Sequence, residues 1–193
     1  MEYPITLSFK VLAIASQIYA KDAQGNPLLY VRQKAFRLRE KIEVFTDDRK
    51  EDLLARIETK QIIDFSAGYT ISDPEGNPIG TVRRRGMRSI WKATYEIVDN
   101  DGRLFTLRES NPWAKVGDSF LGDVPVVGLL SGYLFHPKFT ITAEGSETPS
   151  YLVAKQPSLF ESQFVINKLD DEEDDILILL AVLLVALLER RRG

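Results

Sequence analysis

The chain contains no cysteine, and that one absence excludes disulfides, thiolate nucleophiles, palmitoylation and cysteine-ligated zinc together. A reducing, cytoplasmic setting fits it. Histidine is almost missing too: His136 is the only one, and in Leu134-Phe-His-Pro137 it reads as a structural residue. Gly-x-Ser-x-Gly and phosphate-loop patterns do not occur. Carboxylates are plentiful, as in any soluble protein, so a pair such as Asp64 and Asp73 carries no weight without geometry. The expectation is a non-enzyme that needs neither cofactor nor metal.

Long apolar runs are scarce. Met1 to Ser8 has no basic region leading into an unbroken apolar stretch, although Val11 to Ala15 is briefly apolar, so no secretion signal is expected. Excess charge of either sign is also lacking: the net charge is -3, with 27% charged residues. That balance exerts no global pull toward nucleic acid or anionic membrane, and any basic site must be local. The 193 residues, 44% apolar and 10% aromatic, suffice for one sizeable core, and a single domain over 1–193 is expected.

What the chain does have is one apolar run near its end, the thirteen residues Ile176 to Leu188. At about 1.5 Å rise per residue a helix of that length covers roughly 20 Å, short of the ~30 Å hydrocarbon core of a bilayer. Six acids, Asp170 to Asp175, precede it, and Arg190, Arg191 and Arg192 follow. This order complements a helix macrodipole at both ends and predicts a helix over about 174–190. The arginines also argue against a membrane tail anchor, because they would have to cross the bilayer or snorkel. The run is apolar on every face, so it needs partners all round. At about 1.5–3 kcal/mol for each buried large side chain, leaving it exposed would forfeit some tens of kcal/mol, more than a domain's net stability. A closed sheet large enough to hold a helix is one such enclosure.

Upstream the text is β-like. Tyr69 to Ser72, Ser89 to Val98 and Lys138 to Thr142 alternate or are rich in β-branched and aromatic residues, and turn sequences lie near them. The turns are explicit in Asp22-Ala-Gln-Gly-Asn-Pro27, Asp73-Pro-Glu-Gly-Asn-Pro78 and Asp99-Asn-Asp-Gly102. Gly25-Asn-Pro27 followed by Val31-Arg32 recurs 51 residues later as Gly76-Asn-Pro78 followed by Val82-Arg83. Each copy runs through a basic stretch into an amphipathic strand, Lys41 to Val44 and Tyr95 to Val98, and a weaker third echo lies in Phe139 to Ile166. Repeated meanders suit a barrel, whose closure removes exposed sheet edges. Asn111 to Gly122 reads as a short helix begun by Asn-Pro and ended by glycine, and Val124 to Leu134 as an apolar segment packed across a barrel end.

Three features taken together resemble the LURP-one-related family. They are Arg32 to Phe45, Tyr69-Thr-Ile with Gly80-Thr-Val-Arg-Arg-Arg-Gly86, and the acidic run entering an Ile/Leu helix. That family is similar in fold to tubby C-terminal domains and phospholipid scramblases. The resemblance implies a mainly β chain, a closed antiparallel tubby-like β-barrel of about twelve strands around a buried hydrophobic C-terminal helix. The Pro-rich N-terminal region and cysteine cluster typical of scramblases are not in this sequence, so lipid scrambling is not carried over.

The strongest local charge feature is Arg83, Arg84, Arg85, Arg88 and Lys92, five cations within ten residues without an acid. Arg32, Lys34, Arg37, Arg39 and Lys41 form a similar set in the first copy. Alternation on a strand puts Arg83 and Arg85 on one face and Arg84 on the other, unless a turn at Gly86 intervenes. Clustered guanidinium and ammonium groups offer donors to phosphate, and the resemblance implies a phosphoinositide-like anionic headgroup, bound by a cytoplasmic protein peripheral to the membrane. The plain alternative is solvated strand faces on a protein-interaction module with no small ligand. Nucleic acid, with Trp91, Tyr95 or Phe36 stacking on bases, is not expected of an acidic chain without a recognisable nucleic-acid module. The acids Asp170 to Asp175 resemble in position a proposed calcium-binding segment of scramblases. Their spacing does not match an EF-hand loop and no glycine supplies its turn, so helix capping is the expected role.

Overall fold

Alternation makes the strands. In Lys41–Phe45, Ile42 and Val44 are buried while Lys41 and Glu43 face solvent, the period-two pattern of a sheet with one dry face. A computed structural model describes residues 1–11, 15–34, 41–60, 68–85, 94–109, 137–156, 161–170 and 175–190. Its strands are β1 (Ile5–Val11), β2 (Ala15–Lys21), β3 (Pro27–Lys34), β4 (Lys41–Phe45), β5 (Leu53–Lys60) and β6 (Gly68–Ser72). They continue as β7 (Pro78–Arg84), β8 (Thr94–Asp99), β9 (Leu104–Glu109), β10 (Pro137–Ala143), β11 (Tyr151–Gln156) and β12 (Glu161–Lys168), and a helix, α1, spans Asp175–Arg190. Each strand pairs antiparallel with its neighbours in sequence, and β1 pairs with β12 to close a barrel of twelve strands. The mainly β, closed antiparallel architecture expected from the sequence is therefore present. Expected strands at Tyr69 to Ser72 and Lys138 to Thr142 fall in β6 and β10, and the end of Ser89 to Val98 falls in β8. Residues 89–93, the expected helix Asn111 to Gly122, the segment Val124 to Leu134 and His136 lie outside the described residues.

Because the strands alternate in direction, the connections β2–β3, β4–β5, β6–β7, β8–β9 and β10–β11 all gather at one end, here called the turn end. The two copies detected in the sequence build the same hairpin there. Asn26 donates its backbone and side-chain N–H to the two oxygens of Asp22, at 2.9 and 3.0 Å. Asn77 does the same to Asp73, at 2.7 and 2.8 Å. Gly25 and Gly76 sit at φ of 85° and 94°, which glycine adopts without the steric cost a side chain would bring. The side-chain bonds from Asn26 and Asn77 hold the Asp22 and Asp73 carboxyls below the usual aspartate range. The repeat is thus a four-strand unit, β3 recurring as β7. Asp99 repeats the device in the β8–β9 turn, accepting the backbone N–H of Arg103 at 2.7 Å and its Nε at 2.6 Å.

Inward-facing residues of the strands and all of Leu177 to Leu187 form one apolar core, in which every helix position in that range is buried. Eleven successive residues at 100° each pass every face of the helix, so no side of it is left wet. The backbone of α1 approaches β7 and β8. At Gly80, on β7, an added Cβ would lie 2.7 Å from the Val98 carbonyl oxygen and 2.8 Å from Leu177 Cδ1. The equivalent position of the first copy, 51 residues earlier, is Leu29, so glycine here marks close approach rather than the repeat. Among the described residues no helix is long and apolar enough to cross a membrane.

The ends of α1 are tied to opposite ends of the barrel. At the turn end, Asp175 Oδ1 accepts hydrogen bonds from Tyr3 Oη at 2.9 Å and Tyr151 Oη at 3.1 Å, and Lys168 Nζ stands 2.9 Å away. Tyr3 precedes β1, Tyr151 opens β11 and Lys168 closes β12. At the far end, Tyr95 Oη, near the start of β8, donates to Glu189 Oε1 at 3.2 Å. The Arg190 guanidinium lies 5.2 Å from the centroid of the Phe9 ring, near the end of β1.

Two measurements test this packing. Gly80→Ala is expected to cost about 1–3 kcal/mol in urea unfolding, because the backbone oxygen facing the new methyl cannot swing aside as a side chain could. An unchanged midpoint would mean that β7 and the helix are not in such close contact. Burial, and then the bond donated to Asp175, push the Tyr3 hydroxyl well above the ordinary tyrosine value. The unfolded chain therefore ionises first, at about pH 10. Stability from this contact is whole below that pH and is lost as pH rises toward the folded value. Melts between about pH 9 and 11 should fall more steeply for the native chain than for Tyr3→Phe, and parallel curves would count against the contact.

Candidate functional site

The basic stretch entering the first candidate site continues the alternation of β7. Gly80 and Val82 are buried, Arg83 is exposed, Arg84 is half-buried, and Arg85 is exposed again. The backbone N–H of Arg85 bonds to the Thr94 carbonyl at 2.9 Å, which carries the β7–β8 ladder one residue past the strand. Arg83 and Arg85 therefore share the outer face, and Arg84 has the opposite parity, on the side of Val82. Of the expected five cations, Arg83, Arg84 and Arg85 are described, and Arg88 and Lys92 lie outside the described residues. In the first copy, Arg32 and Lys41 are exposed, Lys41 Nζ stands 3.4 Å from Glu58, and Arg37 and Arg39 lie outside the described residues.

Register adds two residues that the sequence reading did not single out. Arg83 on β7 is opposite Glu96 on β8, and Glu96 is opposite Thr106 on β9. The next outer row runs from Arg85 to Thr94, then to Arg108 on β9, then to Thr140 on β10. Arg108 is exposed, and two strand spacings separate it from Arg85, roughly 10 Å at the backbone. Glu96 points outward between the inward Tyr95 and Ile97, yet only 7% of it is exposed. Two guanidiniums cover it: Arg83 Nε is 2.5 Å from Oε2 and Arg85 Nε is 3.4 Å from Oε1, while 58% and 64% of the two arginine side chains remain exposed. A carboxylate so enclosed is costly unless countercharges satisfy it, and here each oxygen has its own arginine. The sequence signal for Glu96 is weak but present, a lone acid at the outward position of Tyr95-Glu-Ile-Val98.

Charge is also segregated along the barrel. The turn end carries Asp22, Asp47, Asp52, Asp73, Asp99 and Asp101, and the far end carries Arg32, Lys41, Arg83, Arg85, Arg108 and Arg190. Acids do occur at the far end: Glu58 and Glu96 stand against cations, Glu189 accepts from Tyr95, and Glu109 closes β9 beside Arg108. At the turn end Arg49 and Arg103 are likewise engaged, by Asp47 and Asp99. Among the described residues, which leave out the connections at the far end, a chain with a net charge of -3 thus sorts its basic side chains toward one end of the strands.

The family model described as LURP-one-related matches residues 27–179, from the start of β3 into α1. A comparison with curated proteins and one with solved structures give no match. The match takes in ten of the twelve strands and the entry of the helix, and the chain belongs to the LURP-one-related family.

Proposed function

We propose that the chain is a single, non-catalytic barrel domain that recognises anionic phospholipid headgroups at its basic end, as a cytoplasmic protein peripheral to the membrane. The observation that carries the reading is the outward pair Arg83 and Arg85, each more than half exposed, with Arg108 in the same cross-strand row as Arg85. Guanidinium groups suit phosphate oxygens by geometry as well as charge. Segregation of acids to the turn end would orient the molecule with its basic end toward a negative surface. Arg84 contributes charge at the rim from the other face of β7, and Arg88 and Lys92 belong to the same proposed site by sequence.

The same reading seats α1 in the barrel interior. The helix is covered on every face, and its ends are tied to opposite barrel ends. Its sixteen residues measure about 24 Å at 1.5 Å each, and a seven-residue strand such as β1, about 23 Å long but tilted by about 40° in a closed barrel, rises about 18 Å, so the helix is long enough to run from one barrel end to the other. A membrane role would then fall to the barrel's outer residues and not to the apolar helix. Deleting the helix would unfold the barrel and say nothing about membrane binding.

Among the described residues Met1 is the one large apolar side chain that is exposed, so the outer wall described gives a protein-interaction module no apolar patch to dock on. Co-sedimentation separates the two readings. The intact chain is expected to pellet with phosphoinositide-containing liposomes and not with neutral ones, less so as salt rises from low to near-physiological. The folded variant with Arg83, Arg84 and Arg85 all changed to Ala should lose that pelleting. Pelleting that survives the triple change would remove the site, and no pelleting at all would redirect the search to protein partners.

A further inference from the structure

Glu96 is the unexpected member of the basic cluster. An acid beneath two arginines halves the net charge of the pair, and a surface built only to attract anions would do better without it. Its geometry points to a different use. Each carboxylate oxygen takes one arginine through Nε, at 2.5 Å for Arg83 and 3.4 Å for Arg85. Among the described residues neither guanidinium makes a further bond through its terminal nitrogens. A guanidinium carries five N–H donors in a rigid plane. Arg83 is hydrogen-bonded to the carboxylate and Arg85 is paired with it by charge, and more than half of each arginine side chain stays open to solvent.

We infer that Glu96 is a positioning residue that makes Arg83 and Arg85 a two-pronged clamp, selective for a dianionic phosphomonoester over a singly charged phosphodiester. The inference rests on the reading of this face as an anionic-headgroup site. A phosphomonoester offers three terminal oxygens and up to two charges, so it can accept from both guanidiniums at once. A phosphodiester has two such oxygens and one charge. A ligand that drew the arginines away from Glu96 would have to break both of its ion pairs. It must come to donors already set in place, and preorganised donors spend less conformational entropy on binding. With the carboxylate cancelling one of the two positive charges, diffuse attraction of any anion is kept low and the contribution of matched geometry grows in proportion.

The test uses the full chain and three proteins: native, Glu96→Gln, and the triple change of Arg83, Arg84 and Arg85 to Ala. Circular dichroism confirms that each is folded. Vesicles of phosphatidylcholine carry either phosphatidic acid, a phosphomonoester, or phosphatidylglycerol, a phosphodiester, matched for total surface charge. The native chain is expected to prefer phosphatidic acid about tenfold, the scale of one hydrogen bond to a charged group. Glu96→Gln should lose the preference while keeping or increasing its pelleting on phosphatidylglycerol, since an acid has been removed. A simple loss of folding would not produce that split. Retained preference in Glu96→Gln overturns the role of Glu96, and a native chain without preference overturns the ligand class while leaving headgroup binding intact. Binding unchanged in the triple variant overturns the underlying site instead. Inorganic phosphate as competitor probes the phosphate group without a lipid. Release from phosphatidic acid vesicles beyond that given by chloride at equal ionic strength supports the clamp, and release that follows ionic strength alone overturns it.

Discussion

A helix that is apolar on every face must be covered on every face, and all of Leu177 to Leu187 is buried in one core with the inward residues of the strands. Exposure of Leu177 to Leu187 would cost far more than the ~5–15 kcal/mol by which a domain is stable, so with α1 seated inside the barrel as proposed, the sheet must leave no gap and no edge. Twelve strands in simple up-and-down order meet this by closing β1 on β12. The weakest seam is β3–β4, where Tyr30 and Phe45 form the one register pair among the described residues. Lys50 stands over both of those rings, at 5.9 and 6.0 Å from their centroids, and Tyr19 packs on Tyr30 at 4.9 Å. Aromatic and cation contacts on the outer wall thus reinforce the place where the backbone ladder is thinnest.

Electrostatics follows the same axis as the helix. The positive end of the helix macrodipole lies among the aspartates of the turn end, and its negative end lies among the arginines of the far end. Asp175 at the start of α1 and Arg190 at its end, read in the sequence as local complements to the helix, therefore share the charge separation seen among the described residues of the barrel. Asp175 shows how the two levels meet. It opens the helix and also receives Tyr3, Tyr151 and Lys168 from three other segments, so one carboxylate caps the dipole and fixes the helix against the sheet.

Much of this was legible because it is local. The helix declares itself by composition and flanks, and the hairpins by Asp-x-x-Gly-Asn, where an aspartate binds its own turn and glycine supplies the positive φ. The repeat of β3 as β7 is legible for the same reason, since each copy carries its own turn. The clamp was not legible. Glu96 is thirteen residues from Arg83, and only the pairing of β7 with β8 makes them neighbours. Arg108 joins through one more register step, and a sequence gives no register across a stretch as long as that between Arg85 and Thr94. The opposite parity of Arg84 was legible from alternation alone, whereas the acid that joins Arg83 and Arg85 is one that no charge count along β7 would include.

Closure limits how such a molecule can recognise anything. A sheet without free edges offers little main chain for a partner strand to pair with, and an interior occupied by a helix, as proposed for α1, leaves no room for a ligand there. Recognition then falls to side chains on the outer wall and at the barrel ends. On a wall, alternation delivers every second residue, so a site must be assembled across strands instead of along one. The row of Arg85, Thr94, Arg108 and Thr140 and the row of Arg83, Glu96, Thr106 and Thr142 are such assemblies. Their charged members come from β7, β8 and β9, and the helix backbone approaches two of these strands, β7 and β8. The core that demands closure thereby also stiffens the wall on which the arginines stand, and a rigid wall is what lets a single buried carboxylate hold two guanidiniums in register.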